Sequence, residues 1–322
     1  MRTITYETAI FEAIAEEMRN DDRIFHLSTD APEPLVTEFG DNRVRSTPIA
    51  ESALTGMAVG AAGSGYRPII DWRSITFAFV AMDQVVNQVS KIHYMYGGQR
   101  SFPIVFRTKV GGGTRRAAQH SQSPYSMFMN LAGLKLLLPS TPYDVKGLLK
   151  TAIRDNNPVI VFESERLANY RGQVPSGDYC IAMGKADIKR TGTDVTIVAL
   201  AWLVHEALDA ATELAELGIS VEVIDPRCLA PMDETTLRQS VKKTGRLVVA
   251  DEAPPTASAA AEIISIVMED GPTFHSLKCP VRRICALPVP VPYSPDLEDH
   301  VFPDKTQIVT AVIEIMQNSY SR

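Results

Sequence analysis

The 322-residue chain is poor in the features by which many functions are recognised. Cysteine occurs four times, at Cys180, Cys228, Cys279 and Cys285, with neither the paired spacing of a metal site nor the density of a disulfide framework. These are read as buried or incidental thiols. No apolar run reaches the roughly 20 residues of a membrane span. The opening Met1-Arg2-Thr3-Ile4-Thr5-Tyr6 has no signal-peptide core. A cytoplasmic protein that does not enter the membrane is therefore expected. A net charge of −6 argues against a nucleic-acid surface. Gly111-Gly112-Gly113 follows a strand-like run, but no Lys-Ser/Thr pair closes it into a phosphate loop, and GxGxxG is missing. The Gly-x-Ser-x-Gly elbow and the His-Glu-x-x-His zinc pair are missing too.

What is present is an ordinary globular composition, 45% hydrophobic and 22% charged, with length enough for two cores. Residues 4–19 carry Ala9, Ile10, Ala13, Ile14 and Met18 at helical spacing, and the strand-like Ile24-Phe25-His26-Leu27 follows. Helix and strand then alternate: a small-residue helix after Thr47, a strand over 67–72, a helix over 81–96, and strands over 102–107, 135–138 and 158–162. Such alternation of β-branched runs and helices implies a parallel sheet covered on its faces. Periodicity lapses between Glu163 and Asp194, where a linker is expected. A second series starts at Val195. The sequence thus predicts an α/β protein of two doubly wound, mainly parallel-sheet domains, over residues 1–180 and 190–322.

One stretch stands out for chemistry, Arg45-Ser46-Thr47-Pro48-Ile49-Ala50-Glu51-Ser52. Thr47 followed by Pro48 predicts a helix start, because Thr caps a backbone N–H and Pro has none to leave unpaired at the first position. That places Glu51 one turn in. Two readings stand: a carboxylate favoured by the helix dipole, and a catalytic carboxylate.

Further motifs occur in order: Phe77; Asp83-Gln84-Val85-Val86-Asn87; Tyr94-Met95-Tyr96-Gly97-Gly98-Gln99; Ala118-Gln119-His120-Ser121-Gln122-Ser123; and Ala152-Ile153-Arg154-Asp155-Asn156-Asn157-Pro158. Ile224-Asp225-Pro226-Arg227 and Pro290-Val291-Pro292-Tyr293 extend the series into the second domain. With these the chain resembles the β subunits of thiamine-diphosphate-dependent 2-oxo acid dehydrogenases, relatives of transketolase. The resemblance implies a pyrimidine-binding domain followed by a transketolase-type C-terminal domain. It also implies an α subunit, in an α2β2 tetramer. In the family the α chain holds the diphosphate through Mg2+ with a Gly-Asp-Gly motif, and no Gly-Asp-Gly occurs here.

By the same resemblance Glu51 bonds the pyrimidine ring nitrogen and activates the cofactor, and Phe77 lies beside that ring. His120 assists substrate binding or transfer of the acyl group to a lipoyl-bearing carrier domain. Carbonyls of Ile104, Ala152, Ile153, Asp155 and Asn157 match a structural potassium (K+) site, for which an ordinary helix C-cap is the competing reading. Several positions depart from the family pattern: Ser28-Thr29-Asp30 for Gly-Glu-Asp, Asn130 for His, Thr76 for Asp or Asn, and Arg73 for an apolar residue. Lys109, Arg115 and Arg116 surround the triple glycine. Either they form a solvated loop, or Arg115 and Arg116 bind an anionic substrate such as a sugar phosphate. The activity expected is decarboxylation of a 2-oxo acid with acyl transfer to a lipoyl group. The alternatives are a split transketolase-like subunit that cleaves a ketose phosphate and a non-catalytic stabilising subunit.

Overall fold

The structure, a computed structural model, describes residues 1–317. The chain divides into two compact units, Met1–Val110 with Met127–Met183, and Gly111–Ser126 with Gly184–Arg322. The sixteen residues of Gly111–Ser126 thus fold with the second unit, an allegiance that a boundary drawn along the sequence does not express.

The first unit contains strands β1 (Arg2–Thr5), β2 (Ile24–Ser28), β3 (Val44–Ser46), β4 (Arg67–Ser74), β5 (Val105–Val110), β6 (Lys135–Leu137), β7 (Val159–Ser164) and β8 (Arg171–Val174). Six of them run parallel in the order β6-β7-β5-β4-β2-β3, as alternation with helices requires. Every residue of β7 is buried, consistent with a strand covered on both faces. β1 and β8 form a separate antiparallel ribbon. The helices Tyr6–Asn20 and Pro142–Arg154 pack together. Each is capped by a threonine, Thr5 accepting from Thr8 N and Thr141 from Asp144 N. Their seam is ionic: Lys146 and Lys150, each 1% exposed, reach Glu16 at 2.5 and 2.6 Å.

Two expectations are corrected here. Over 81–96, where one helix is expected, the chain forms a π-helix Gln84–Val89 and a short α-helix Ile92–Met95, with a 3-10 helix Ile75–Ala81 just before them. The widened turn closes through Ser90 N to Val85 O at 3.1 Å, and the Ser90 carbonyl then lies so near Gly133 that a Cβ there would sit 2.1 Å away. A uniform apolar period cannot register this change of pitch. The second correction concerns Thr47, which does not cap the small-residue helix. Its N–H and hydroxyl both bond Ser28 O, at 2.9 and 3.3 Å, so Thr47 extends the β3 end of the sheet and the helix Glu51–Gly63 starts four residues later, after Ala50.

The second unit carries β9 (Asp187–Arg190), β10 (Val195–Ala199), β11 (Val221–Asp225), β12 (Cys228–Ala230), β13 (Leu247–Asp251) and β14 (Arg282–Cys285). Five form a sheet ordered β14-β13-β10-β11-β9, parallel except for the antiparallel edge strand β9. Alternation along β10 assigns its faces. Val195, Ile197 and Ala199 enter the core made with helices Leu203–Glu216 and Lys305–Gln317. Thr196 points the other way and bonds Ser240 and Thr244 of the helix Glu234–Thr244, at 2.7 and 2.8 Å. Helices therefore cover both faces, and the doubly wound expectation holds in each unit.

Candidate active site

Glu51 is the first residue of its helix and is 5% exposed. Ala50, the residue before it, contributes no side-chain cap, so the positive end of the helix dipole meets the carboxylate directly. Among the described residues the Glu51 carboxylate takes part in no hydrogen bond or ion pair. Its backbone is firmly tied. Thr55 donates to Glu51 O at 2.7 Å, Trp72 Nε1 donates to Thr55 Oγ1 at 3.1 Å, and Trp72 stacks on Phe106 with centroids 4.3 Å apart. A largely buried carboxylate on a rigid support, with no partner among the described residues, is free to accept a donor from outside the chain.

Phe77 lies in the same unit, half-buried on the 3-10 helix that follows β4. The ladder between β4 and β5 shifts register between Asp71 and Ser74, and Arg73 adopts φ 64°. Asp71 Oδ1 holds this bulge by accepting Arg73 N at 2.7 Å. Two of the departures from the family pattern meet here, since the Arg73 guanidinium lies 3.6 Å from Asp30.

His120 belongs to the second unit. It ends the short helix Ala117–His120 and is half-buried. The loop is closed by Gly111 N donating to Gln122 O at 3.1 Å, and its far end is pinned by the Tyr125 hydroxyl, which bonds the buried Asp251. Asp251 in turn accepts from Ala253 N and Ala260 N, at 2.9 and 3.0 Å. Burial raises the Asp251 carboxyl above the usual carboxylate range, against the lowering effect of these bonds. Beside the loop is a cavity of about 380 Å3 lined by Ser121, Ser123, Glu252, Val291 and Phe302 among others. The Ser121 and Ser123 hydroxyls are buried and make no hydrogen bond with a described residue.

Arg115, for which an anion contact is one of two readings, is paired within the chain. Its guanidinium bonds Glu298 at 2.9 Å and Asp299 at 2.7 and 2.8 Å, and these carboxylates raise its pKa. A cation engaged by two carboxylates is a loop fastener. Arg116 is exposed on the same loop.

The residues expected around potassium lie at the end of the helix Pro142–Arg154 and just ahead of β5. Phe102 N bonds Asn156 O and Val159 N bonds Ile104 O, at 3.1 and 2.9 Å, which joins the start of β5 to the turn 152–157. Ile153 O already accepts from Arg67 Nε and Nη2 at 3.0 and 2.6 Å, and Asp155 O accepts from the same Nη2 at 2.5 Å. Ala152 O takes Asp155 N at 3.2 Å, so the helix C-cap is Asp155, ahead of the Asn156 or Asn157 of the competing reading. A carbonyl has two lone pairs, so the oxygens retain capacity for an ion that would share them with Arg67.

Comparison with known proteins decides the family. The transketolase pyrimidine binding domain matches residues 2–171, and the transketolase C-terminal domain matches residues 184–308. The β subunit of acetoin:2,6-dichlorophenolindophenol oxidoreductase from Bacillus subtilis is 44% identical, over 98% of each chain. The pyruvate dehydrogenase E1 component β subunit of Rhizobium meliloti is 42% identical over 97% of this chain and 70% of that protein. The 2-oxoisovalerate dehydrogenase β subunit of Bacillus subtilis is 39% identical over 95% and 97%. This chain belongs to the transketolase-type family of dehydrogenase β subunits. A solved structure, a split-gene transketolase described as an inactive β4 tetramer, superposes with TM-score 0.80 at 23% identity, over 98% and 99% of the two chains; at that identity it shows the fold alone.

Within this β subunit, sequence reasoning missed a buried charge cluster on adjacent strands of the first unit. Arg107 of β5, 3% exposed, forms a two-bond pair with Glu163 of β7 at 2.7 and 3.0 Å and lies 3.6 Å from Asp71 of β4. Its Nη1 is 3.5 Å from Nε2 of the fully buried His26 on β2. Burial, with Arg107 adding repulsion, pushes the His26 pKa down to about 4. Burial also raises the Glu163 carboxyl, although Arg107 opposes that. The residues are about 40 to 140 positions apart in sequence terms that only strand order can unite, so no local motif exposed them. Glu298, similarly, is 0% exposed yet charged, a combination that composition cannot reveal.

Proposed function

We propose that the chain is the β subunit of a thiamine-diphosphate-dependent dehydrogenase that decarboxylates a 2-oxo acid and passes the acyl unit to a lipoyl-bearing carrier. The observation that carries this is Glu51: a buried carboxylate at a helix N-terminus, without a partner among the described residues, in a chain of this family. The donor set suits the pyrimidine end of the cofactor. Glu51 would accept a hydrogen bond from the ring nitrogen and share its proton, and Phe77 would lie against the ring. Bound there, thiamine diphosphate supplies the nucleophilic carbon and the electron sink that loss of carbon dioxide requires.

Glu51 acts by holding one proton at one atom, the pyrimidine nitrogen, while its helix keeps that carboxylate in place. His120 receives the substrate or the transferred acyl group. The diphosphate and its Mg2+ fall to an α subunit in an α2β2 assembly, in keeping with relatives named as β subunits. Potassium shares the carbonyls of Ile104, Ala152, Ile153, Asp155 and Asn157 with Arg67.

Glu51→Gln in the complex reconstituted with the α chain tests the reading. Carbon dioxide release should fall by about 10²–10⁴-fold, the usual worth of a positioned acid–base group. Turnover at the wild-type rate would remove Glu51 from the mechanism. Turnover of a ketose phosphate without carbon dioxide release would favour transketolase-like chemistry instead.

A further inference from the structure

The loop that ends at His120 is fastened by one buried carboxylate on a separate helix. Glu298 lies on the helix Pro295–Val301 and is 0% exposed. Its Oε1 accepts Gly113 N at 2.7 Å, and its Oε2 accepts Arg115 N at 3.0 Å and Arg115 Nη1 at 2.9 Å. A charged acceptor for two backbone N–H groups and a guanidinium is well satisfied, and its bonds are of the stronger, charge-assisted kind.

The sequence of the loop fits this attachment. A Cβ on Gly112 would lie 2.1 Å from the Phe302 ring and 3.2 Å from Glu298 Oε1, and one on Gly111 would lie 2.6 Å from Glu252 Oε2. The glycines let the backbone come within bonding distance of Glu298. Arg115 and Ala117 then adopt φ 62° and 59°, a conformation costly for residues other than glycine and held only where surrounding contacts impose it. Ala117 is the first residue of the turn that ends at His120.

We infer that Glu298 is a positioning residue for the reaction: it acts through the 111–120 loop to set the place of His120. This rests on the role given to His120 above. A carboxylate suits the task because all three groups it faces are donors. A glutamine in its place turns an NH2 group toward at least one donor, leaving that part-buried N–H without its acceptor.

The test uses the full chain reconstituted with its α subunit, comparing Glu298→Gln, the shortened but still charged Glu298→Asp, His120→Ala, and Glu298→Gln combined with His120→Ala. Hydrogen exchange at Gly113 and Arg115 reads the attachment directly, and acyl transfer to a lipoyl domain reads its consequence. In Glu298→Gln these amides should exchange at least about tenfold faster than in wild type, with Glu298→Asp between the two. Acyl transfer should fall about 10²-fold, as a small misplacement of a reacting group can cause, and the second substitution should add nothing in the His120→Ala background. Unchanged exchange in both folded Glu298 variants, or a loss that multiplies onto that of His120→Ala, would overturn the inference. Wild-type acyl transfer by His120→Ala would instead sink the role of His120, with the exchange result still judging the attachment.

Discussion

Glu51 is held by bonds that leave its own carboxylate unengaged, and the charges elsewhere in the first unit show the contrast. Arg107, Glu163 and Asp71 satisfy one another inside the sheet, and His26 stays neutral beside them because a second positive charge next to Arg107 would be buried with it. This has a consequence for stability against pH. The His26 pKa is about 4 in the folded chain against 6.5 for an unperturbed histidine, so on acidification the unfolded chain takes up the proton first. The contribution of neutral His26 is complete above pH 6.5 and is lost progressively as pH falls towards 4. A shift of that size corresponds to at most about 3 kcal/mol. Denaturant titrations of wild type and His26→Gln at several pH values should therefore converge on acidification across that window. A stability difference independent of pH would mean that His26 is not held neutral.

At the scale of elements, the strands with unbroken β-branched runs and the helices with a 3.6-residue period were legible in the sequence, because burial on both faces or on one stripe writes itself into residue order. Val159-Ile160-Val161-Phe162 and the 203–217 helix are examples. Thr47-Pro48 was misleading because Thr47 found a competing partner, Ser28 O, across the sheet. The 81–96 segment was misleading because a change of helix pitch leaves apolar spacing almost unaltered. The 111–126 loop was legible as glycine-rich, but its attachment to Glu298, some 180 residues later, was not. That attachment makes Gly112 a sensitive position. Gly112→Ala brings a Cβ to 2.1 Å from Phe302, a 5%-exposed ring packed with Val291 and Val301, so neither side can easily yield. A loss of about 1–3 kcal/mol is expected from the overpacking. Trimming the ring in Gly112→Ala with Phe302→Leu should cost less than the sum of the two single changes. Strict additivity in a double-mutant cycle would show that the two do not meet.

For the whole molecule, the two ends of the proposed cofactor make different demands. In the proposed role Glu51 and Phe77 would offer the pyrimidine a hydrogen bond and an apolar face, whereas a diphosphate needs concentrated positive charge, and this chain has a net charge of −6 and no Gly-Asp-Gly. The basic residue nearest to such a role by sequence, Arg115, is already paired with Glu298 and Asp299. The carbonyls of the 152–157 turn, by contrast, lie wholly within the first unit and are held by Arg67 and the segment before β5. The isolated chain should then discriminate between the two ligands. Potassium, but not sodium at equal ionic strength, should raise its melting temperature, since an ion bound only by the folded state stabilises by mass action. Thiamine diphosphate with Mg2+ should leave the melting temperature unchanged until the α chain is added, and decarboxylation should appear only in the mixture. Catalysis by the isolated chain would show that it binds the diphosphate unaided; equal responses to potassium and sodium would reduce the 152–157 turn to a helix cap.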